Sequence, residues 1–177
     1  IGLDDSADSL TIGLGSTLGT TSHMIFDANG HITKPLQPAF NAYLSGNQDN
    51  FALNSYVTVQ FDTERFDNNG DFNPSNYTFT APVTGRYQFN LCLRFNNVDT
   101  AAGFYQSVLV TSNRQYALFT IDPEYSSDPL YLHGNFSILA DMDASDTATV
   151  AVYQNNGTQQ TDVSSGNDCI FSGYLVC

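Results

Sequence analysis

The segment Gly85–Phe95 (GRYQFNLCLRF) alternates between large apolar residues and other residues, and this feature constrains the fold most. Successive side chains of a β-strand point to opposite faces, whereas a helix repeats about every 3.6 residues, so this alternation predicts a half-buried strand. The residues that share the apolar face are Tyr87, Phe89, Leu91, Leu93 and Phe95. The chain therefore contains at least one long strand that covers a hydrophobic core.

Similar alternation recurs along most of the chain, between turn-forming clusters such as Asn68-Asn69-Gly70 and Asn155-Asn156-Gly157. One short turn around Asp62–Asp67 is the only segment in which we expect helical character. Short strands with frequent turns predict an all-β fold, either a β-sandwich or a jelly roll. The further strand candidates are Tyr56–Phe61, Phe104–Val110, Gln115–Ile121, Tyr131–Leu139, Thr147–Tyr153 and Ile170–Val176.

The first part of the chain differs in composition, because it is rich in Gly, Ser and Thr. It contains two short segments, His23–Asp27 and His31–Thr33, joined by Ala28-Asn29-Gly30, and an Asn-Gly turn between such segments predicts a hairpin. A unit of this kind buries little apolar surface by itself. We therefore interpret residues 1–37 as a stem or linker that continues an upstream shaft, and residues 38–177 as a globular head. Because residue 1 is Ile, we expect the chain to be part of a longer protein.

The charge of the chain excludes several classes of partner. There are 18 Asp and Glu against 5 Lys and Arg, for a formal net charge of -13. Binding to nucleic acid or to an anionic membrane requires a basic face, which this chain cannot provide. No run approaches the roughly 18–20 apolar residues of a membrane span. The 13 Phe and 10 Tyr residues also exclude a disordered chain.

Three cysteines, Cys92, Cys169 and Cys177, cannot all pair within one chain. No two of them have the spacing of a zinc or redox motif. We expect three free thiols, and a bridge between Cys92 and Cys169 is the main alternative.

No GxSxG elbow, HExxH motif or glycine-rich phosphate loop occurs in the chain. We therefore predict a protein that is not an enzyme and needs no cofactor. A catalytic triad or a glycosidase-type pair of carboxylates, which is assembled only in space, stays the alternative. One acidic turn is a candidate calcium site, because carboxylates crowded together repel and a hard cation would relieve that repulsion. Its candidate ligands are Asp141, Asp143 and Asp146.

Tyrosine is a common contact residue of recognition surfaces, because it combines rigid aromatic area with a hydrogen-bonding hydroxyl. Four tyrosines near loops or strand ends are candidate contact residues, namely Tyr105, Tyr116, Tyr125 and Tyr131. The alternative is that such residues pack in the core with their hydroxyls at its edge.

A spaced pattern of aromatic residues, glycines and one aspartate resembles the signature of the C1q domain family, the globular heads of the C1q/TNF superfamily. Its first part is Phe61, Asp67, Phe72, Phe79, Gly85, Tyr87 and Phe89, and its last part, in the closing segment IFSGYLV, is Phe171, Gly173 and Tyr174. Leu91 departs from the pattern, because the family has an aromatic residue there. The resemblance implies a ten-stranded jelly roll that forms a homotrimer and acts as a recognition head without a shared active site.

The segment Ser22–Phe40 (SHMIFDANGHITKPLQPAF) resembles the lead into C-terminal heads of bacteriophage fibres and virion structural proteins, and no collagen repeat precedes the head. Together the resemblances predict the trimeric head of a phage tail fibre or virion appendage, located on the virion, which binds a host-surface receptor such as a glycan or protein. The first alternative is a secreted C1q/TNF-like ligand or lectin of a cellular organism. The second is a purely structural trimerisation or cement domain of a virion.

Overall fold

The computed structural model describes residues 2–4, 8–17 and 20–177. The contacts between residues divide the chain into two compact units, Ile1–Pro38 and Ala39–Cys177. Within the described ranges the secondary structure is almost entirely β, and the helical content is a single 3-10 turn, Gly166–Asp168. Across the same ranges, no helical segment has the length or the apolar character that membrane crossing requires.

The first unit is an antiparallel four-stranded sheet in which each strand pairs with the next along the chain. The predicted hairpin is confirmed, since Ile25 pairs with Thr33 around a turn in which Asp27 accepts hydrogen bonds from the N–H groups of Asn29 and His31. Among the described residues of this unit, only Thr11 and Pro38 are buried. The strands are β1 (Gly2–Asp4), β2 (Ser9–Gly13), β3 (Ser22–Phe26) and β4 (Ile32–Thr33).

The head is a sandwich of two six-stranded antiparallel sheets. The first sheet has the order β13-β10-β16-β5-β7, with β15 beside β10, and its strands are β5 (Ala39–Tyr43), β7 (Thr63–Asp67), β10 (Gly85–Asn96), β13 (Tyr131–Met142), β15 (Asp162–Val163) and β16 (Ile170–Leu175). The second has the order β12-β11-β14-β9-β8, with β6 beside β14, and its strands are β6 (Val57–Thr58), β8 (Phe72–Asn73), β9 (Thr78–Thr80), β11 (Phe104–Thr111), β12 (Gln115–Ile121) and β14 (Thr147–Asn155).

Strand β10 confirms the prediction that was made from the alternation of Gly85–Phe95. Its odd-numbered side chains, from Tyr87 to Phe95, are all at most 3% exposed, while the even-numbered ones are half-buried or exposed on the other face. The core between the sheets is largely aromatic and contains the inward side chains of β5, β10 and β16 from the first sheet. The head contains twelve strands where ten were expected, and three of the twelve, β6, β8 and β15, are only two residues long.

Two details of the predicted secondary structure were wrong. The segment expected to be a helix-like turn is strand β7, which pairs with β5 through Tyr43 with Thr63 and Phe40 with Asp67. The candidate strand Tyr56–Phe61 contains only the short strand β6, although the apolar residues of the segment, Val59 and Phe61, are fully buried. At β7, pairing with a distant strand overrides the local pattern.

The head begins and ends at the same end of the sandwich. Ala39 of β5 pairs with Tyr174 of β16, and the carbonyl of Cys177 accepts a hydrogen bond from the N–H of Arg86 at the start of β10. The opposite end, here called the distal end, consists of the loops 45–55, 97–103, 122–130 and 156–161.

Candidate functional site

The aromatic residues of the sequence signature build the core rather than a surface site. Phe40 of β5 lies at their centre, with ring centroids 5.0 Å from those of Phe72, Phe79 and Phe171. Offset and edge-to-face contacts of this kind add stability beyond the area they bury. The buried signature residues are Phe61, Phe72, Phe79, Tyr87, Phe89 and Phe171.

The remaining signature residues have backbone roles, except for one. Gly173 lies where a Cβ would be 2.7 Å from the ring of Phe89, and at Gly85 a Cβ would be 2.7 Å from the carbonyl oxygen of the last residue. Asp67 accepts hydrogen bonds from the N–H groups of Gly70 and Phe72 and so fixes the turn after β7. Tyr174 instead is 47% exposed, on the outward face of β16.

The outward face of the first sheet, here called the assembly face, mixes small polar residues with exposed apolar ones. Phe66, Leu139 and Tyr174 are each about half exposed on it, at 51%, 49% and 47%. A shallow depression of about 270 Å³ lies across β13, β10 and β16 and has Asn90, Cys92, Asn135, Ser137, Ile170 and Ser172 in its lining. A sheet face with apolar side chains around a depression can receive side chains of another molecule.

A polar atom on this face is buried without a partner. The side-chain oxygen of Asn41 on β5 is shielded from solvent, and none of the described residues donates a hydrogen bond to it. A buried acceptor that lacks a donor lowers the stability of the isolated chain, and a neighbouring molecule could supply the donor.

The cysteines are free thiols, as predicted, and two of them have contrasting environments. Cys169 is buried in the core, whereas Cys92 lies on the assembly face with its Sγ 3.1 Å from Nε2 of His133. Burial raises the pKa of both thiols, and the charge of Asp168 adds to the effect. Both thiols are therefore protonated at neutral pH and unsuited to nucleophilic attack.

A buried carboxylate fixes two loops of the distal end. Asp99 is 1% exposed and accepts hydrogen bonds from the N–H groups of Ala101 and Gln159, both at 2.8 Å, and from the N–H of Thr158. Burial by itself would raise the pKa of Asp99, but the donors of Gln159, Ala101 and Thr158 stabilise the anion and lower its pKa. Gly157 permits the close approach, because a Cβ there would lie 2.5 Å from the carboxylate.

The other loops of the distal end are bound to these two. Thr100 donates its N–H to Asp128 at 2.9 Å, and the N–H of Asn50 donates to Asp162 at 2.7 Å. The side chain of Asn54 accepts a hydrogen bond from the N–H of Asn156 at 2.9 Å. The distal end is therefore a connected surface of four loops, held in one arrangement by side chain to backbone hydrogen bonds.

The four candidate tyrosines do not form one surface. Tyr105 was wrongly expected at the surface, because it is fully buried and its hydroxyl accepts a hydrogen bond from the N–H of Asp99. Tyr116 lies at the end opposite the distal end, where it donates a hydrogen bond to Asp141. Tyr125 and Tyr131 are 47% and 60% exposed at the distal end, and the guanidinium of Arg94 lies 4.7 Å from the ring of Tyr131.

The three candidate calcium ligands already have protein partners. Asp141 forms an ion pair with Arg114 at 2.9 Å, and Asp146 accepts hydrogen bonds from the N–H of Asp143 and the side chain of Asn113. The carboxylate of Asp143 accepts a hydrogen bond from the hydroxyl of Thr84 at 3.4 Å. Within the described ranges, no three His, Cys, Asp or Glu side chains lie close enough to hold a metal ion. Calcium at this turn stays a prediction to which the geometry adds no support.

Comparison with known proteins identifies the fold of the head. The family model of the C1q domain matches residues 39–176. Comparison with curated proteins gives no match.

Two solved structures are similar to the head. The globular domain of zebrafish complement 1qA protein is 18% identical with a TM-score of 0.55, over 80% of this chain and 98% of that chain. Murine APRIL, a TNF-family protein, is 11% identical with a TM-score of 0.56, over 79% of this chain and 99% of that chain. At these identities the similarity establishes a C1q/TNF jelly-roll fold.

Proposed function

Because this chain belongs to the C1q domain family, we propose that it is the trimeric recognition head of a phage tail fibre or another virion appendage. Domains of this type commonly form homotrimers, act as recognition or ligand domains, are typically not enzymes, and are often extracellular. The head binds a host-surface receptor through its distal end during adsorption.

The observation that carries the proposal is the contrast between the two surfaces of the head. The assembly face has exposed Phe66 and Tyr174 and the unpartnered oxygen of Asn41, which suits contact with further copies of the chain. The distal end has no strand pairing to complete, and its loops are fixed, which suits contact with a receptor. The exposed apolar residues of the first unit, Leu14 and Ile32, also suit a stem that is completed by neighbouring chains.

Trimer formation is tested by one substitution and its matched control. Ser172→Arg places a charge in the depression of the assembly face, whereas Ala117→Arg places the same charge on an exposed position of the second sheet. We expect light scattering to find a trimer for the parent protein and for Ala117→Arg, and a monomer for Ser172→Arg. A monomeric parent protein would overturn the trimer.

Receptor binding is tested with labelled protein on candidate host cells. Tyr125→Ala, at the distal end, should lower cell binding, while Val83→Ala, equally exposed at the other end, should leave it unchanged. Equal binding by both variants would place the receptor site elsewhere. Absence of binding to every host, with fibre assembly dependent on the head, would favour the structural trimerisation or cement domain instead.

A secreted ligand or lectin of a cellular organism is the second candidate, because C1q/TNF-like domains are often secreted. The full-length gene decides between the two, since tail genes beside it support the virion appendage, whereas a signal peptide with a collagen or coiled-coil region supports the secreted protein.

A further inference from the structure

Three aromatic side chains form a row on the outward face of the second sheet, here called the aromatic row. The ring of Tyr153 on β14 lies between Tyr56 and Phe104, with centroid distances of 5.0 Å and 5.5 Å. The register explains the row, because Tyr153 pairs with Gln106, two residues after Phe104, and Tyr56 precedes the strand that pairs with Ala151. Tyr56 is 47% exposed, and the other two rings are partly exposed.

A hydrogen-bonded amide fixes Tyr56, the ring at one end of the row. The hydroxyl of Tyr56 donates to Oε1 of Gln106, whose Nε2 donates to the hydroxyl of Thr120 on β12 at 2.9 Å. The ring of Tyr56 is therefore fixed beside an amide and a hydroxyl, and Tyr153 packs between this ring and Phe104. Aromatic rings that are held rigidly lose little conformational entropy when a ligand binds.

The sheet that carries the row has no charged residue in any of its strands. The six strands of the second sheet contain no Asp, Glu, Lys, Arg or His, in a chain with a net charge of -13. The first sheet, by contrast, has Arg86, Arg94, His133 and Asp141 within its strands. A charged ligand would find no opposite charge on this wall of the head, so the wall suits a ligand without charge.

We infer that the aromatic row is a binding site for an uncharged saccharide, in addition to the receptor site at the distal end. The C–H groups on one face of a sugar ring carry partial positive charge and pack on the electron-rich faces of aromatic rings. The amide of Gln106 and the tyrosine hydroxyls lie beside the rings, where they can bond sugar hydroxyls. The site offers aromatic rings to one face of a ligand and neutral hydrogen-bonding groups to its edge. A short neutral oligosaccharide has the complementary groups.

A protein partner fits this surface less well. A stable protein interface buries roughly 800 Å² on each partner and has an apolar centre. The exposed aromatic area here is limited to three rings, next to Gln106, Thr120 and other polar side chains of the sheet. The row therefore has the size and composition of a saccharide site.

The site is tested by saturation-transfer NMR on the whole chain. The neutral probes are cellotriose, maltotriose and triacetylchitotriose, and the anionic probe is trigalacturonate. We expect transfer to the C–H protons of at least one neutral probe, no transfer to trigalacturonate, and binding about tenfold weaker in Tyr153→Ala. Tyr56→Phe keeps the ring and loses the bond to Gln106, so it should bind more weakly than the parent protein but more tightly than Tyr153→Ala.

Val83→Ala is the control, because it truncates a side chain that is about as exposed as Tyr56, 46% against 47%, at the end opposite the distal end. Neutral probes that bind this control and the parent protein equally support the site. Three results would overturn the saccharide site. None of the neutral probes binds, or trigalacturonate binds more tightly than the neutral probes, or binding is unchanged in both Tyr153→Ala and Tyr56→Phe. Self-association of the parent protein that Tyr56→Phe abolishes would overturn it as well, since a second copy would then cover the row. None of these results bears on host-cell binding through Tyr125.

Discussion

Replacement of Asp99 by alanine should destabilise the head strongly, although the residue lies in a loop. The carboxylate accepts the N–H groups of Ala101, Thr158 and Gln159, and these donors would lose their acceptor together. An unsatisfied donor in a buried position costs about 1–3 kcal/mol. Water can reach part of the exposed loop ends, so we expect a total loss of about 3–5 kcal/mol from the free energy of unfolding.

Asp99→Asn keeps one of the two acceptor oxygens and removes the charge. Because one oxygen serves Ala101 and the other serves both Thr158 and Gln159, this variant should lose about 2 kcal/mol. Asp49→Ala is the control, since Asp49 is an exposed aspartate of the same end, and it should stay within about 0.5 kcal/mol of the parent protein.

Urea unfolding at neutral pH, followed by circular dichroism at one fixed protein concentration, measures these differences. The concentration matters because association would add to the apparent stability. A structural role of Asp99 is contradicted if the free energy of unfolding of Asp99→Ala lies within about 1 kcal/mol of that of the parent protein, or if the loss is no greater than in Asp49→Ala.

Other perturbations test the core, the charge and the pH response. The lowered pKa of Asp99 means that its contribution is fully present above its ordinary value of 3.8 and is lost as pH falls through the folded value, so thermal melts should show acid destabilisation that Asp99→Asn reduces. Gly173→Ala places a Cβ 2.7 Å from Phe89 and should cost about 1–3 kcal/mol, while Gly46→Ala, with open space around it, should be nearly neutral in urea unfolding. Because each copy carries a charge of -13, the proposed trimer should dissociate less in sedimentation experiments as sodium or calcium chloride is added, and an association independent of both salts would contradict this.

The strands that could be predicted from the sequence are those whose pattern is local. The alternation of β10 needs no knowledge of its neighbours, because one face meets the core and the other does not. Strand β7 (TERFD) has no such pattern, and its extended form follows from pairing with β5, twenty or more residues earlier. Local propensity therefore could not identify it.

The candidate sites were harder to predict, because they depend on contacts between distant segments. Asp99 has the sequence context of an ordinary turn aspartate, and its burial depends on the N–H groups of a loop about sixty residues later. Tyr105 lies near a loop in sequence but faces inward on β11. Its place in the sequence therefore led to the wrong prediction that its side chain is exposed. The lack of charged residues in the second sheet could be predicted from the sequence only after each strand had been assigned to one of the two sheets.

The common position of Ala39 and Cys177 has a practical consequence for binding measurements. A tag added after Cys177 leaves the head at the end opposite the distal loops, so protein captured by that tag on a sensor presents those loops to the solution. A probe or reporter peptide meant to lie among the loops must instead be inserted within one of them. The segment 156–161 is unsuitable for insertion, because three of its atoms hold the carboxylate of Asp99. In 122–130 the side-chain hydrogen bonds to the other loops are accepted by one residue, Asp128, from Thr100 and Gln159, so an insertion away from Asp128 leaves them intact.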